Sequence, residues 1–134
     1  MTNGNELLTG TGTVLIVDDD PINRRIMQEI LNRLGYSVEQ AQDGQSCLDF
    51  LSERASEINV IILDVIMPGL SGLEIIERLQ KMTKLPPVLL MSGVPLEDDL
   101  ERFVDNEKTF YVQKPVNLKN LSELMHKLTS LKYC

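Results

Sequence analysis

Basic residues are in short supply: 13 Lys and Arg stand against 20 Asp and Glu, for a formal net charge of −7 over 134 residues. Affinity for nucleic acid comes largely from cationic side chains displacing condensed counterions. This balance argues against direct nucleic-acid binding by the chain. Cysteine is nearly absent too. Cys47 falls among apolar neighbours in an expected helix and Cys134 is the last residue, so neither a disulfide framework nor a thiolate metal site is spelled out. A reducing, cytoplasmic setting fits. No apolar run approaches the roughly 20 residues that cross a bilayer as a helix. Met1 to Gly12 lacks the basic and long apolar regions of a secretory signal and reads as a flexible leader before a domain over 13–134. Repeats, heptads and low-complexity tracts are missing, and no stretch is left over for a second domain. The lone histidine, His126, sits beside Met125 and Lys127 on the expected last helix and is given no role.

What is present is an alternation. Apolar residues at 43% and charged ones at 25% are an ordinary globular balance. Thr13 to Val17 is a β-branched, apolar run that suits a strand buried on both faces, and it ends in Asp18-Asp19-Asp20-Pro21. With Asp20 as N-cap and Pro21 at the first helical position, Ile22, Ile26, Ile30 and Leu34 recur at helical spacing until Gly35. Tyr36 to Ala41 is a less apolar strand suited to a sheet edge. Asp43-Gly44 then opens a helix carrying Cys47, Leu48 and Leu51. Val60 to Leu63 is the most apolar strand and also ends on a carboxylate, Asp64, before Met67-Pro68-Gly69. A third helix carries Leu73, Ile76 and Leu79, a fourth strand runs from Pro87 to Met91 and ends at Ser92-Gly93, and a charged fourth helix is expected from Leu96 to Val104. A fifth strand, Thr109 to Val112, precedes Lys114-Pro115, and Leu118, Leu121, Leu124, Met125, Leu128 and Leu131 line one face of the last helix. Strands alternating with helices through short loops require a parallel sheet covered on both faces, a doubly wound α/β fold.

In such sheets, ligands bind outside the carboxyl ends of the strands, where the strand order reverses. At those ends stand Asp18 and Asp19, Asp64, Ser92 and Lys114. Taken singly, the acid run reads as a helix cap, Ser92 as a turn former and Lys114 as a surface lysine. Taken together, the carboxylates would repel one another without a cation among them, and an oxygen-only set with room for water suits Mg²⁺. An aspartate beside a metal can attack phosphorus while the metal and an ammonium neutralise the phosphoryl oxygens. Asp64 and Lys114 fit those two roles.

From Thr13 to Leu131 the chain resembles the response-regulator receiver domain of two-component phosphorelays. Val14-Leu15-Ile16-Val17-Asp18-Asp19-Asp20-Pro21 is similar to that family's first strand and acidic pair, and Leu63-Asp64-Val65-Ile66-Met67-Pro68-Gly69-Leu70-Ser71-Gly72 to its phosphoacceptor loop. Met91-Ser92-Gly93 stands at its hydroxyl position, and Tyr111-Val112-Gln113-Lys114-Pro115 matches its aromatic switch and lysine-proline pair. The resemblance implies a flavodoxin-like sheet of order 2-1-3-4-5 with five helices. It implies Mg²⁺ held by Asp18, Asp19, Asp64 and the Ile66 backbone carbonyl. Asp64 would accept a phosphoryl group from a histidine kinase or a histidine phosphotransfer protein. Ser92 and Lys114 would be drawn to the new oxygens, and Tyr111 would turn inward. The surface of the fourth helix, fifth strand and fifth helix would then change toward a downstream target or a fused output domain. Such a domain is not an enzyme in the usual sense, since it catalyses only its own phosphorylation and dephosphorylation.

The chain departs from the family in places. The Gly-Ala expected before the fifth strand is replaced by Asp105-Asn106-Glu107-Lys108-Thr109-Phe110, which predicts an atypical fourth helix and exit. Ile66 and Val94 are apolar where polar side chains could position a hydrolytic water, which predicts slow loss of phosphate. Glu97, Asp98, Asp99 and Glu101 on the fourth helix face Lys119, Lys127 and Lys132 on the fifth in charge, and these stripes either pair two subunits or are solvated faces. Arg24 and Arg25 on the first helix are candidates for docking a partner. Two other readings exist. A haloacid-dehalogenase-like phosphatase also uses a strand-end Asp with Mg²⁺, but wants a second Asp two positions on, where Ile66 stands. A pseudo-receiver would have lost the acidic pair, Asp64, Ser92 or Lys114. A stand-alone regulator and a piece of a larger protein such as a hybrid kinase remain equally open.

Overall fold

The computed structural model describes residues 7–131. Lys132, Cys134 and the first half of the expected leader lie outside the described residues. Five strands, β1 (Thr13–Val17), β2 (Ser37–Ala41), β3 (Val60–Asp64), β4 (Val88–Ser92) and β5 (Thr109–Gln113), pair in parallel in the order β2-β1-β3-β4-β5. Helices α1 (Pro21–Arg33), α2 (Gly44–Arg54), α3 (Gly72–Leu79) and α4 (Asp98–Glu101) fill the four crossovers, and α5 (Leu118–Thr129) follows β5. The order reverses at β1 and β3, whose registered partners run from Val14↔Val60 to Val17↔Leu63.

The pleat divides the core in two. Leu15, Val17, Ile61, Leu63, Val88 and Leu90 point to one face and pack against Cys47, Leu51, Ile75, Ile76, Leu79 and Leu100 of α2, α3 and α4. Val14, Ile16, Val60, Ile62, Leu89 and Met91 point to the other and meet Leu31, Leu34, Leu121, Met125 and Leu128. Burial on both faces is why β1, β3 and β4 read as unbroken apolar runs. Asp20, Asp43, Ser71 and Asn117 each cap a helix by accepting from a backbone N–H of its first turn.

The expected helical stripes shift at the end of the domain that carries the acids. Ile22 and Ile26, expected to face the core, are 67% and 51% exposed, and Leu118 is exposed as well. Ile22 and Leu118 stand in the first turns of α1 and α5, while Ile26, one turn on, lines a cleft between those helices. The fourth helix is far shorter than the expected span of 96–104. It is a single turn, and the chain leaves it through tighter contacts in which Phe103 N–H donates to Leu100 O and Val104 N–H to Glu101 O. Asp105 Oδ1 then accepts from the N–H groups of Glu107, Lys108 and Thr109, each at 2.9 Å, and Asn106 adopts φ +56°. This acid-capped turn replaces helix with loop, as the missing Gly-Ala predicts.

At the opposite end of the sheet, Gly10 N–H donates to Leu34 O and Ser37 N–H to Gly12 O, both at 2.9 Å. His126 Nδ1 lies 3.2 Å from Thr9 O. Gly35 takes φ +103°, and a Cβ there would sit 2.2 Å from Gly10 O, so both the turn and the close approach require glycine. The expected boundary between leader and domain thus falls inside a hydrogen-bonded stretch. Among the described residues, no helix is long and apolar enough to cross a membrane.

Candidate functional site

Two strands deliver the three acids. Asp18 follows β1, and its N–H donates to Ala41 O at 3.1 Å, which extends the β1–β2 ladder by one residue. Its Oδ1 accepts from Asp20 N–H at 2.9 Å and fixes the turn into α1. Asp64 ends β3 in register with Met91, and its Oδ1 accepts from Ile66 N–H at 3.1 Å. One carboxylate oxygen from each of Asp18, Asp19 and Asp64 lies within 4.8 Å of the others. Asp18 is buried, Asp64 half-buried and Asp19 exposed, so the group opens to solvent on one side.

The ammonium comes from β5. Lys114 N–H donates to Ser92 O at 2.8 Å, which carries the β4–β5 ladder past the last strand residue and fixes where the side chain starts. Its Nζ reaches 3.5 Å from Asp64 Oδ2. Ser92 is 1% exposed, and its Oγ accepts from Val94 N–H at 3.2 Å, leaving the hydroxyl proton free to donate. The Tyr111 hydroxyl donates to Val94 O at 3.0 Å, so the loop after β4 is held from both β4 and β5. The Tyr111 ring packs, partly buried, against the α2–α4 side of the core.

Burial raises the Asp18 carboxyl above the ordinary carboxylate range. The Asp20 N–H bond opposes that rise, Asp64 adds to it, Lys114 opposes it and Asp19 adds to it. Three carboxylates with one ammonium leave negative charge uncompensated, and the donors are all hard oxygens. That set fits a divalent cation of the Mg²⁺ kind. The Ile66 carbonyl belongs to the same turn, while the Ile66 side chain is exposed and takes no part.

Two clefts border these residues. One of about 280 Å³ runs between α1 and α5, floored by Ile16, Ile62 and Met91 and open at Asp18, Asp64 and Lys114. The other, of about 380 Å³, lies between the loops after β3 and β4 and is lined by Ile66, Ser92, Val94 and Leu96. Asp18, Asp64 and Lys114 thus border the first cleft, and Ile66 and Ser92 the second. What sequence reasoning missed is the apolar rim of Ile22 and Ile26 on α1, and a polar network centred on Arg24.

The fold is thus a doubly wound parallel sheet with three carboxylates gathered at its switch point and a lysine aimed at one of them. The model of the response regulator receiver domain matches residues 14–126. The chain belongs to that family, and it is a receiver domain of two-component signalling. It is 32% identical over 112 residues to the sensor histidine kinase RcsC of Salmonella typhi, covering 84% of this chain and 12% of that kinase. It is 36% identical over 110 residues to the uncharacterized transcriptional regulatory protein YkoG of Bacillus subtilis, covering 82% of this chain and 47% of the relative. Among solved structures it superposes on the CheY-like receiver domain from Methylobacillus flagellatus with a TM-score of 0.76 at 24% identity, covering 89% of this chain and 99% of that one.

Proposed function

We propose that Asp64 accepts a phosphoryl group, in a Mg²⁺-dependent reaction, from a phosphohistidine on a histidine kinase or histidine phosphotransfer protein. The observation that carries this reading is the meeting of Asp18, Asp19 and Asp64 within 4.8 Å, with Lys114 Nζ 3.5 Å from Asp64. Asp18, Asp19, Asp64 and the Ile66 carbonyl would hold the cation, which when bound neutralises charge on the phosphoryl oxygens. An Asp64 carboxylate oxygen attacks phosphorus, the P–N bond breaks, and the imidazole leaves with the electron pair and takes up a proton. The Lys114 ammonium draws one phosphoryl oxygen and the free Ser92 proton a second. Both groups sit on β4 and β5, joined by the Lys114 N–H to Ser92 O bond, so the pull is transmitted to the loop that Tyr111 holds through Val94 O. The added charge of about −2 is the force for that movement.

The surface of α4, β5 and α5 is the proposed output face, read by a downstream protein, a fused output domain or a second copy of the chain. Its charges suit pairing: Glu97, Asp98, Asp99 and Glu101 are exposed on one element, and Lys119 and Lys127 on the other. Exposed Ile22 and Ile26 beside the acids are the proposed kinase-facing rim. Cytoplasmic placement goes with such partners. The test is beryllofluoride with Mg²⁺, followed by amide chemical shifts. Perturbation at Asp64, Ser92 and Tyr111 that vanishes in Asp64→Asn supports the reading, and an unresponsive wild type overturns it.

A further inference from the structure

Arg24 lies in the first turn of α1, its N–H bonded to Asp20 O, and its side chain turns back over the acidic turn. Nη1 donates to the Asp18 backbone carbonyl at 2.6 Å, a short, charge-assisted bond. Nε donates to Gln40 Oε1 at 2.9 Å, and Gln40 Nε2 in turn donates to Gln28 Oε1. Gln40 is on β2 and Gln28 on α1, so the guanidinium is braced by a β2 side chain that α1 holds in turn. The Asp18 peptide is consequently gripped on both sides. Its N–H is paired with Ala41 O on β2 and its C=O with Arg24.

We propose that Arg24 is a positioning residue for the cation site: it fixes the Asp18–Asp19 turn so that both carboxylates face Asp64 before the ion arrives. This inference rests on the reading of that site as a Mg²⁺ site. The Arg24 contact is made to the Asp18 backbone carbonyl rather than to its carboxylate. Arg24 therefore acts through the backbone it holds, as an outer-layer group acts on a metal ligand. Geometry and charge make opposite demands. A cation near a Mg²⁺ site weakens binding by repulsion, so removing it would tighten the site. Removing a brace would loosen it. A lysine keeps the charge but has no planar fork with which to reach the Asp18 carbonyl and Gln40 together.

The experiment is calorimetric titration of the full chain with Mg²⁺ alone, comparing wild type, Arg24→Ala, Arg24→Lys and Gln40→Ala. Arg24→Ala and Arg24→Lys are expected to weaken Mg²⁺ binding alike, by about tenfold. Gln40→Ala is expected to shift it the same way and less. In acetyl phosphate labelling, the half-saturating Mg²⁺ concentration should rise in step, with excess Mg²⁺ restoring the rate. Wild-type or tighter affinity in the two Arg24 variants overturns the proposal. If Arg24→Ala does not fold, Gln40→Ala decides: weaker binding supports it and unchanged binding overturns it. A wild type that takes up no Mg²⁺ would instead sink the reading of the site itself, which keeps the two failures apart.

Discussion

Lys114 Nζ stands 3.5 Å from Asp64 Oδ2, across the sheet from β5 to β3, although the two residues are 50 positions apart in the chain. The ammonium is one-third exposed, so as an ion pair it contributes at most about 1 kcal/mol to stability. Its value lies in the charge it brings to the reaction. Lys114→Ala is expected to leave the unfolding midpoint nearly unchanged and to cut phosphorylation from acetyl phosphate by about 100-fold. Urea unfolding and initial labelling rates measure the two separately. A large loss of stability with normal labelling would show the lysine to be structural.

The raised Asp18 carboxyl sets a pH dependence. A carboxyl whose folded pKa lies above its ordinary 3.8 favours the folded state when protonated. That contribution is full below the unfolded value and is lost as pH rises through the folded one. Asp18→Asn keeps an oxygen acceptor for Asp20 N–H and removes the ionised group. Without Mg²⁺ at neutral pH it should raise the melting temperature. The difference should close as the pH falls below 3.8, where the wild-type group is protonated. With Mg²⁺ the order should reverse, because only the wild type keeps the full carboxylate set.

Ile22 separates partner docking from chemistry. At 67% exposure it contributes little to the core, so Ile22→Asp should leave stability within about 0.5 kcal/mol. Labelling by acetyl phosphate should be unaffected. Transfer from a phosphorylated histidine phosphotransfer protein should fall, because a charge then stands on the apolar rim. Equal transfer rates for wild type and variant would remove α1 from the interface.

The two apolar residues beside the acceptor bear on the lifetime of the phosphorylated form. Ile66 and Val94 are both exposed, on the cleft that Ser92 lines, and neither can hold a water for in-line attack. The half-life of the phosphorylated wild type should be minutes or longer, and Val94→Glu should alter it measurably. Loss of phosphate within seconds would contradict this.

How much of this was legible beforehand follows from the physics of each part. Strands β1, β3 and β4 were plain because burial on both sides leaves them no polar face, and their last residues marked the site. The top of α1 was misplaced because periodicity identifies an apolar stripe without saying how far the sheet beneath it extends. Ile22 is left in solvent in the first turn, and Ile26 lies half in the cleft beside α5. The shortness of α4 was hinted at by Asp105 to Lys108, but the turn depends on one carboxylate collecting N–H groups from Glu107, Lys108 and Thr109. Such a convergence has no signature in spacing. The Arg24–Gln40 contact was beyond reach for the same reason. Two polar residues of separate elements meet only because β2 pairs with β1 in the register Ile16↔Gln40.

Site-resolved phosphorylation is the most direct test of the role given to Asp64. The chain is incubated with acetyl phosphate and Mg²⁺, and intact-protein mass spectrometry is compared for wild type and Asp64→Asn. Gain of one phosphoryl group by the wild type, abolished both by chelating Mg²⁺ and by the substitution, is the predicted result. An equal gain by Asp64→Asn, or a wild type that stays unmodified, would contradict the account.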